Sequence, residues 1–131
     1  MNDFAERYTA AWGSQDPAAV AAFFSEDGSL TVNSGEPATG REAITEVVRG
    51  YMTGFPDHVL LFDRLEERDG RTLFHWTFEG TNTGPGGTGA RVRFSGYEAW
   101  LIGDDGLIQD SQGSYDETEY QRQLEEDQVA G

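Results

Sequence analysis

The run Ala90-Arg91-Val92-Arg93-Phe94-Ser95-Gly96-Tyr97-Glu98-Ala99-Trp100-Leu101-Ile102 alternates between two sets of side chains. The even set, Val92, Phe94, Gly96, Glu98, Trp100 and Ile102, is apolar apart from one carboxylate. The odd set opens with Arg91, Arg93, Ser95 and Tyr97. A period of two marks a half-buried strand, here with the even set turned to a core. Arg71–Asn82 behaves alike: Phe74, Trp76 and Phe78 form its apolar set, continued by Gly80 and Asn82. His58–Glu67 and Leu107–Tyr115 complete four such runs. The breaks between them are Asp69-Gly70, the Gly84–Gly89 loop and Asp104-Asp105-Gly106, short connections that predict an antiparallel meander.

Ahead of residue 58 the period is 3.6. Phe4, Tyr8, Ala11 and Trp12 make one helical stripe, which Gly13-Ser14 ends. Asp16-Pro17 restarts a helix, with Asp as the N-cap and Pro in the first turn; Val20, Phe23 and Phe24 give it a buried side. Asp27-Gly28 reads as a turn and Ser29 to Asn33 as a short strand. Thr39-Gly40-Arg41-Glu42 fits a capping box opening a third helix, whose Ile44, Val47, Val48, Tyr51 and Met52 face inward until Gly54. A last helix is expected from Asp116, capped reciprocally by Glu119, with the chain fraying past Glu125. Helices followed by a meander predict a single α+β domain over residues 1–131: a cone, with N-terminal helices closing one face of a curved, mostly antiparallel sheet around a pocket.

Composition narrows the chemistry. Nine basic residues stand against 24 acidic ones, a net charge of −15, so nucleic acid and anionic membranes are poor partners. The chain has no Cys, and all nine of its basic residues are Arg. Thiol nucleophiles, thiolate metal sites and Lys Schiff bases are thereby excluded. His58 and His75 are the only imidazoles, and no Gly-rich phosphate loop is present. Acid–base work by carboxylates and phenols remains, or binding without chemistry; neither a cofactor nor a metal is expected. No apolar run is long enough to span a bilayer, and Met1-Asn2-Asp3 opens no signal segment, so a cytoplasmic protein is expected.

Alternation also selects candidate site residues. Glu98 is the one charge on its apolar face, and burial would raise its pKa into a range useful for proton transfer. Trp76 and Asn82 share the cavity side, and Tyr8, on the stripe with Trp12, can point a phenol at it. Glu98, Tyr8 and Asn82 are the expected catalytic residues. Trp12, Tyr51, Asp57, His58, Trp76, Phe78, Phe94 and Trp100 are the expected walls of a hydrophobic ligand site. On the other sheet face, Arg91, Arg93, Tyr97 and Leu101 mix polar and apolar groups, which predicts a homodimer through that face.

Several motifs in order carry a resemblance: Tyr8-Thr9-Ala10-Ala11-Trp12, Ala22-Phe23-Phe24-Ser25-Glu26-Asp27, Gly40-Arg41-Glu42-Ala43-Ile44, Phe55-Pro56-Asp57, Gly80-Thr81-Asn82-Thr83-Gly84, Thr88-Gly89 and Gly106-Leu107-Ile108. Over nearly its whole length the chain resembles the nuclear-transport-factor-2-like superfamily, in particular its SnoaL-like polyketide cyclase branch. The resemblance implies the cone-shaped fold, dimerisation, and lyase, isomerase or cyclase chemistry without a cofactor on a hydrophobic carbonyl compound. A non-catalytic small-molecule binder is the other function that superfamily implies. The cyclases carry His where this chain has Asn82 and an acid where it has Glu98. Ketosteroid isomerases pair a phenol and a carboxylic acid at the positions of Tyr8 and Glu98. Their catalytic Asp, however, falls where this chain has only Val32 and Asn33.

Overall fold

The elements follow the expected order. In a computed structural model, residues 1–125 are described in full and the backbone of the last helix to Ala130. The helices are α1 (Asn2–Gly13), α2 (Pro17–Ala21), α3 (Arg41–Gly54) and α4 (Glu117–Ala130). The strands are β1 (Phe24–Val32), β2 (Ala38–Thr39), β3 (Val59–Arg68), β4 (Arg71–Thr81), β5 (Arg91–Ile102) and β6 (Ile108–Tyr115). They form a sheet in the order β2-β1-β6-β5-β4-β3, and its concave face carries α1, α2 and α3. Long strands of this kind coil as they twist, which leaves space between the sheet and the helices over it. No helix among the described residues is long and apolar enough to cross a membrane.

The stripe of α1 is buried as its period requires: Phe4, Tyr8, Ala11 and Trp12 pack with Val20, Phe24, Ile44, Val48, Phe74 and Trp100. Asp16 caps α2 through its carboxylate, 3.1 Å from the Ala18 N–H. In the even set of β5, Trp100 joins this core, while Val92 and Phe94 join a second cluster with Phe55 and Phe78.

Four local expectations are corrected. Asp27-Gly28 is not a turn but part of β1, which begins five residues earlier than Ser29 and shifts register against β6 between Phe24 and Ser29. Gly28 permits this, since a Cβ there would lie 2.8 Å from the Ile108 carbonyl oxygen. Second, β1 pairs with β6 in parallel, a long-range match that no hairpin signal encodes. Third, Thr39 does not cap α3. It lies in β2, paired with Ser29, and Gly40 takes the N-cap position at φ 91°. Fourth, α4 is capped in one direction: the Glu119 N–H donates to Asp116, while the Glu119 carboxylate pairs with Arg122. The fraying expected beyond Glu125 lies outside the fully described residues.

Gly96 is the tightest point in the sheet's inner face. A Cβ there would collide with the Ser114 carbonyl oxygen and come within 2.8 Å of Trp76 Cζ2 and 2.9 Å of Tyr115 Cβ. Gly96→Ala is therefore expected to cost roughly 1–3 kcal/mol through overpacking, read as a lower urea midpoint. An unchanged midpoint would mean that β6 shifts its backbone at Ser114 and that Trp76 moves away without cost.

Candidate active site

Glu98 comes from the middle of β5, opposite Phe74 on β4 and Gly113 on β6. It is 8% exposed. The Tyr8 hydroxyl, from the second turn of α1, donates to both carboxylate oxygens at 3.0 Å. The Trp100 indole N–H (3.0 Å) and the Ser111 hydroxyl (2.8 Å) donate to Oε1 alone. Oε1 thus carries three donors and Oε2 shares one, so Oε2 is the oxygen with capacity left. Burial pushes the Glu98 pKa up, and the hydrogen bonds from Trp100, Ser111 and Tyr8 pull it partly back. Burial and the neighbouring carboxylate hold the Tyr8 phenol well above its usual pKa, keeping it a neutral donor. The Trp12 indole opposes that shift, yet its Nε1–H falls short of hydrogen-bond geometry. Among the described residues it is the one buried side-chain nitrogen or oxygen without a partner.

Glu98 faces a cavity, partly open to solvent, with ≈ 70 Å³ of space for the centres of water-sized molecules. Trp12, Tyr51, Trp76, Phe78 and Phe94 line it, as the helical and strand periods require. Glu98 is the only carboxylate, guanidinium or imidazole among the described residues lining it. Tyr8 and Trp100 lie behind this wall and reach the cavity through Glu98.

Three expected residues stand elsewhere. Asn82 spans backbone groups, donating to the Gly54 carbonyl (3.2 Å) and accepting from the Thr88 N–H (2.8 Å), so it fastens the Gly84–Gly89 loop instead of facing the cavity. Asp57 is exposed and accepts from the Thr81 N–H at 2.7 Å, a hydrogen bond that lowers its pKa. His58 is buried behind Phe78, stacked on it with ring centroids 5.6 Å apart. Its Nε2 lies 2.7 Å from the Trp12 carbonyl oxygen, so Nε2–H is the donor, and Nδ1 accepts from Gln15 at 3.1 Å. It ties the end of α1 to the start of β3.

Sequence reasoning missed Ser111, Gly113 and Tyr115, all on β6 and all beside Glu98 or the cavity. That strand is polar and its register shifts near Ile108, so its alternation is interrupted. The pairing of Glu98 with Gly113 across the Asp104–Gly106 turn was the available signal. Among the described residues no three His, Asp or Glu side chains gather to hold a metal ion.

The chain matches a known family. The family model for the SnoaL-like domain matches residues 5–111, and the chain belongs to that family. Solved structures share the fold at low identity. A SnoaL-like polyketide cyclase, so described, from Jannaschia sp. CCS1 is 14% identical with TM-score 0.80, covering 93% of this chain and 89% of its own. A ketosteroid isomerase-like protein from Catenulispora acidiphila, in complex with trimethylamine, is 16% identical with TM-score 0.79, covering 93% and 92%. An NTF2-like protein of unknown function from Burkholderia pseudomallei is 17% identical with TM-score 0.78, covering 93% and 95%. At these identities the likeness is one of fold. No curated protein matches the chain.

The raised Glu98 pKa has a consequence for stability. Between the ordinary Glu pKa and the raised one, the folded protein holds a proton that the unfolded chain has released. Stability therefore falls as pH rises through that window. Glu98→Gln removes the titration, so the variant should gain on the wild type as pH rises above the usual carboxylate range. Urea unfolding over a pH series measures this, and a pH-independent difference would contradict the shift.

Proposed function

We propose that the cavity is the active site of an acid–base enzyme, a lyase, isomerase or cyclase that acts with its own side chains on a hydrophobic carbonyl compound. One observation carries this reading: a single carboxyl group, raised in pKa and with one oxygen that holds only a shared donor, lines an otherwise largely aromatic and aliphatic cavity. Ionised, Oε2 takes a proton from the carbon next to a carbonyl; the electron pair of the broken C–H bond forms a C=C bond and the carbonyl π pair moves to oxygen, giving an enolate. Protonated, the same oxygen returns the proton at carbon or oxygen. Tyr8 is a positioning residue in this scheme, because it touches Glu98 and not the cavity.

The test is exchange of α-protons of 2-tetralone in D₂O, followed by proton NMR. Glu98→Gln keeps the shape and should lower the exchange rate by about 10²- to 10⁴-fold while leaving the probe's dissociation constant nearly unchanged. Tyr8→Phe should cost less and shift the pH profile, because it removes one donor and leaves the ring packed. Equal, small effects of both changes would favour a second reading, a binder without chemistry. The three donors that fix Oε1 support that reading, as does the trimethylamine held by the similar Catenulispora protein. We also propose a homodimer through the outer sheet face, where Leu61 and Leu101 are 38% and 42% exposed beside Arg93 and Tyr97. A monomer mass in sedimentation at micromolar concentration would refute it.

A further inference from the structure

Glu98 and Tyr115 lie diagonally on the inner face of β5 and β6, because Glu98 pairs with Gly113 and Tyr115 pairs with Gly96. The other two corners of that patch are thus glycines. A Cβ on Gly113 would stand 4.0 Å from Glu98 Cγ, in the space beside the carboxylate. Across Gly96 lies the Trp76 indole. The Gly96 corner is closed by that indole and by Tyr115 itself, so the open corner between the carboxylate and the Tyr115 phenol is the one at Gly113, which lines the cavity.

The Tyr115 hydroxyl does not stand alone. It meets the Tyr51 hydroxyl of α3 at 3.4 Å, the long end of a hydrogen bond, and neither makes another among the described residues. Both side chains line the cavity. The pair uses one O–H, so a second O–H and free lone pairs remain. Aromatic contacts fix both rings: Tyr51 against Trp12 and Phe78, Tyr115 against Trp76 and Phe94. The Tyr115 N–H donates to Asn33 Oδ1 at 2.9 Å, which holds its backbone. Burial keeps both phenols above their usual pKa, hence neutral donors in the cellular range.

We propose that the Tyr51–Tyr115 hydroxyl pair is a second polar subsite of the cavity, which binds an oxygen at one end of a flat apolar ligand whose other polar end meets Glu98. The inference rests on the reading that the substrate occupies this cavity. It adds one property of the ligand, a second uncharged oxygen function at the end remote from Glu98. Along β6, Tyr115 stands two residues, a rise of about 7 Å, beyond the Gly113 that pairs with Glu98, so the two poles lie at different levels of the sheet.

The experiment compares two probes of nearly equal shape, 2,6-dihydroxynaphthalene and 6-methyl-2-naphthol, by calorimetric titration. The wild type is expected to bind the diol about tenfold more tightly, the effect of one well-formed hydrogen bond. In Tyr51→Phe/Tyr115→Phe the two probes should bind alike, with the methyl compound within twofold of its wild-type value. Equal affinities in the wild type, a preference that survives the double change, or binding of neither probe would overturn the proposal. The wild-type comparison decides even if the double variant fails to fold, and Tyr51→Phe alone then supplies the graded loss. Tetralone exchange that depends on Glu98 without probe discrimination removes the subsite and leaves the enzyme. Discrimination without Glu98-dependent exchange leaves the subsite and removes the chemistry.

Discussion

A carboxylate in a packed aromatic core is costly unless every lone pair near it is matched by a donor. Glu98 meets that demand fully at Oε1 and in part at Oε2, with three donors from three separate elements: Tyr8 on α1, Trp100 on its own strand and Ser111 on β6. The network therefore does more than neutralise a charge. It fixes where α1 lies over the sheet and the register at which β5 meets β6, since a slip of one residue on either strand would break it. Removing one member leaves the others buried and short of a partner, which is why such networks respond as a unit.

The same network divides the molecule into a rigid back and an accommodating front. Behind Glu98, Tyr8 packs edge-on against Trp100, Phe74 and Phe23 at centroid distances of 5.2 to 5.6 Å, with no room for a ligand. In front, Gly113 withholds a side chain from the sheet beside Glu98, where the cavity lies. Electrostatics point the same way. With a net charge of −15 outside and a lone carboxyl group inside, the protein offers an anionic ligand no compensating cation in the cavity wall. A neutral ligand carrying oxygen atoms suits it better.

Tyr8 and Glu98 were legible in the sequence because each breaks a regular pattern: a phenol on an apolar helical stripe, and a carboxylate on an apolar strand face. Trp12, Trp76, Phe78 and Phe94 were legible for the complementary reason, as members of those patterns. Asn82, Asp57 and His58 misled because their types suit chemistry, whereas their positions, at the ends of strands and turns, claim them for backbone hydrogen bonds. Tyr115 and Ser111 were hidden because β6 is polar and bulged, so that only its pairing with β5 shows which side chains turn inward. The parallel joining of β1 to β6 and the short β2 are products of tertiary packing, and no local propensity announces either.

A group that organises a fold is usually a poor choice for chemistry, because what holds it still also quenches it. The asymmetry of the Glu98 carboxylate resolves this conflict at the scale of one side chain. Oε1 takes the Trp100 and Ser111 donors and most of the structural duty, while Oε2 shares only the Tyr8 hydroxyl. Burial raises the proton affinity of the whole group, and the donors on Oε1 direct the proton to Oε2, the oxygen with room for it. The stability that burial costs on ionisation is thereby coupled to proton affinity at the cavity surface, where a reacting ligand would use it. An apolar residue at position 98 would remove the ionisation cost but leave the buried Tyr8, Trp100 and Ser111 donors without their acceptor. The carboxylate is held in place by a three-donor network that an apolar side chain would not need, and that is the physical ground for assigning it work beyond the fold.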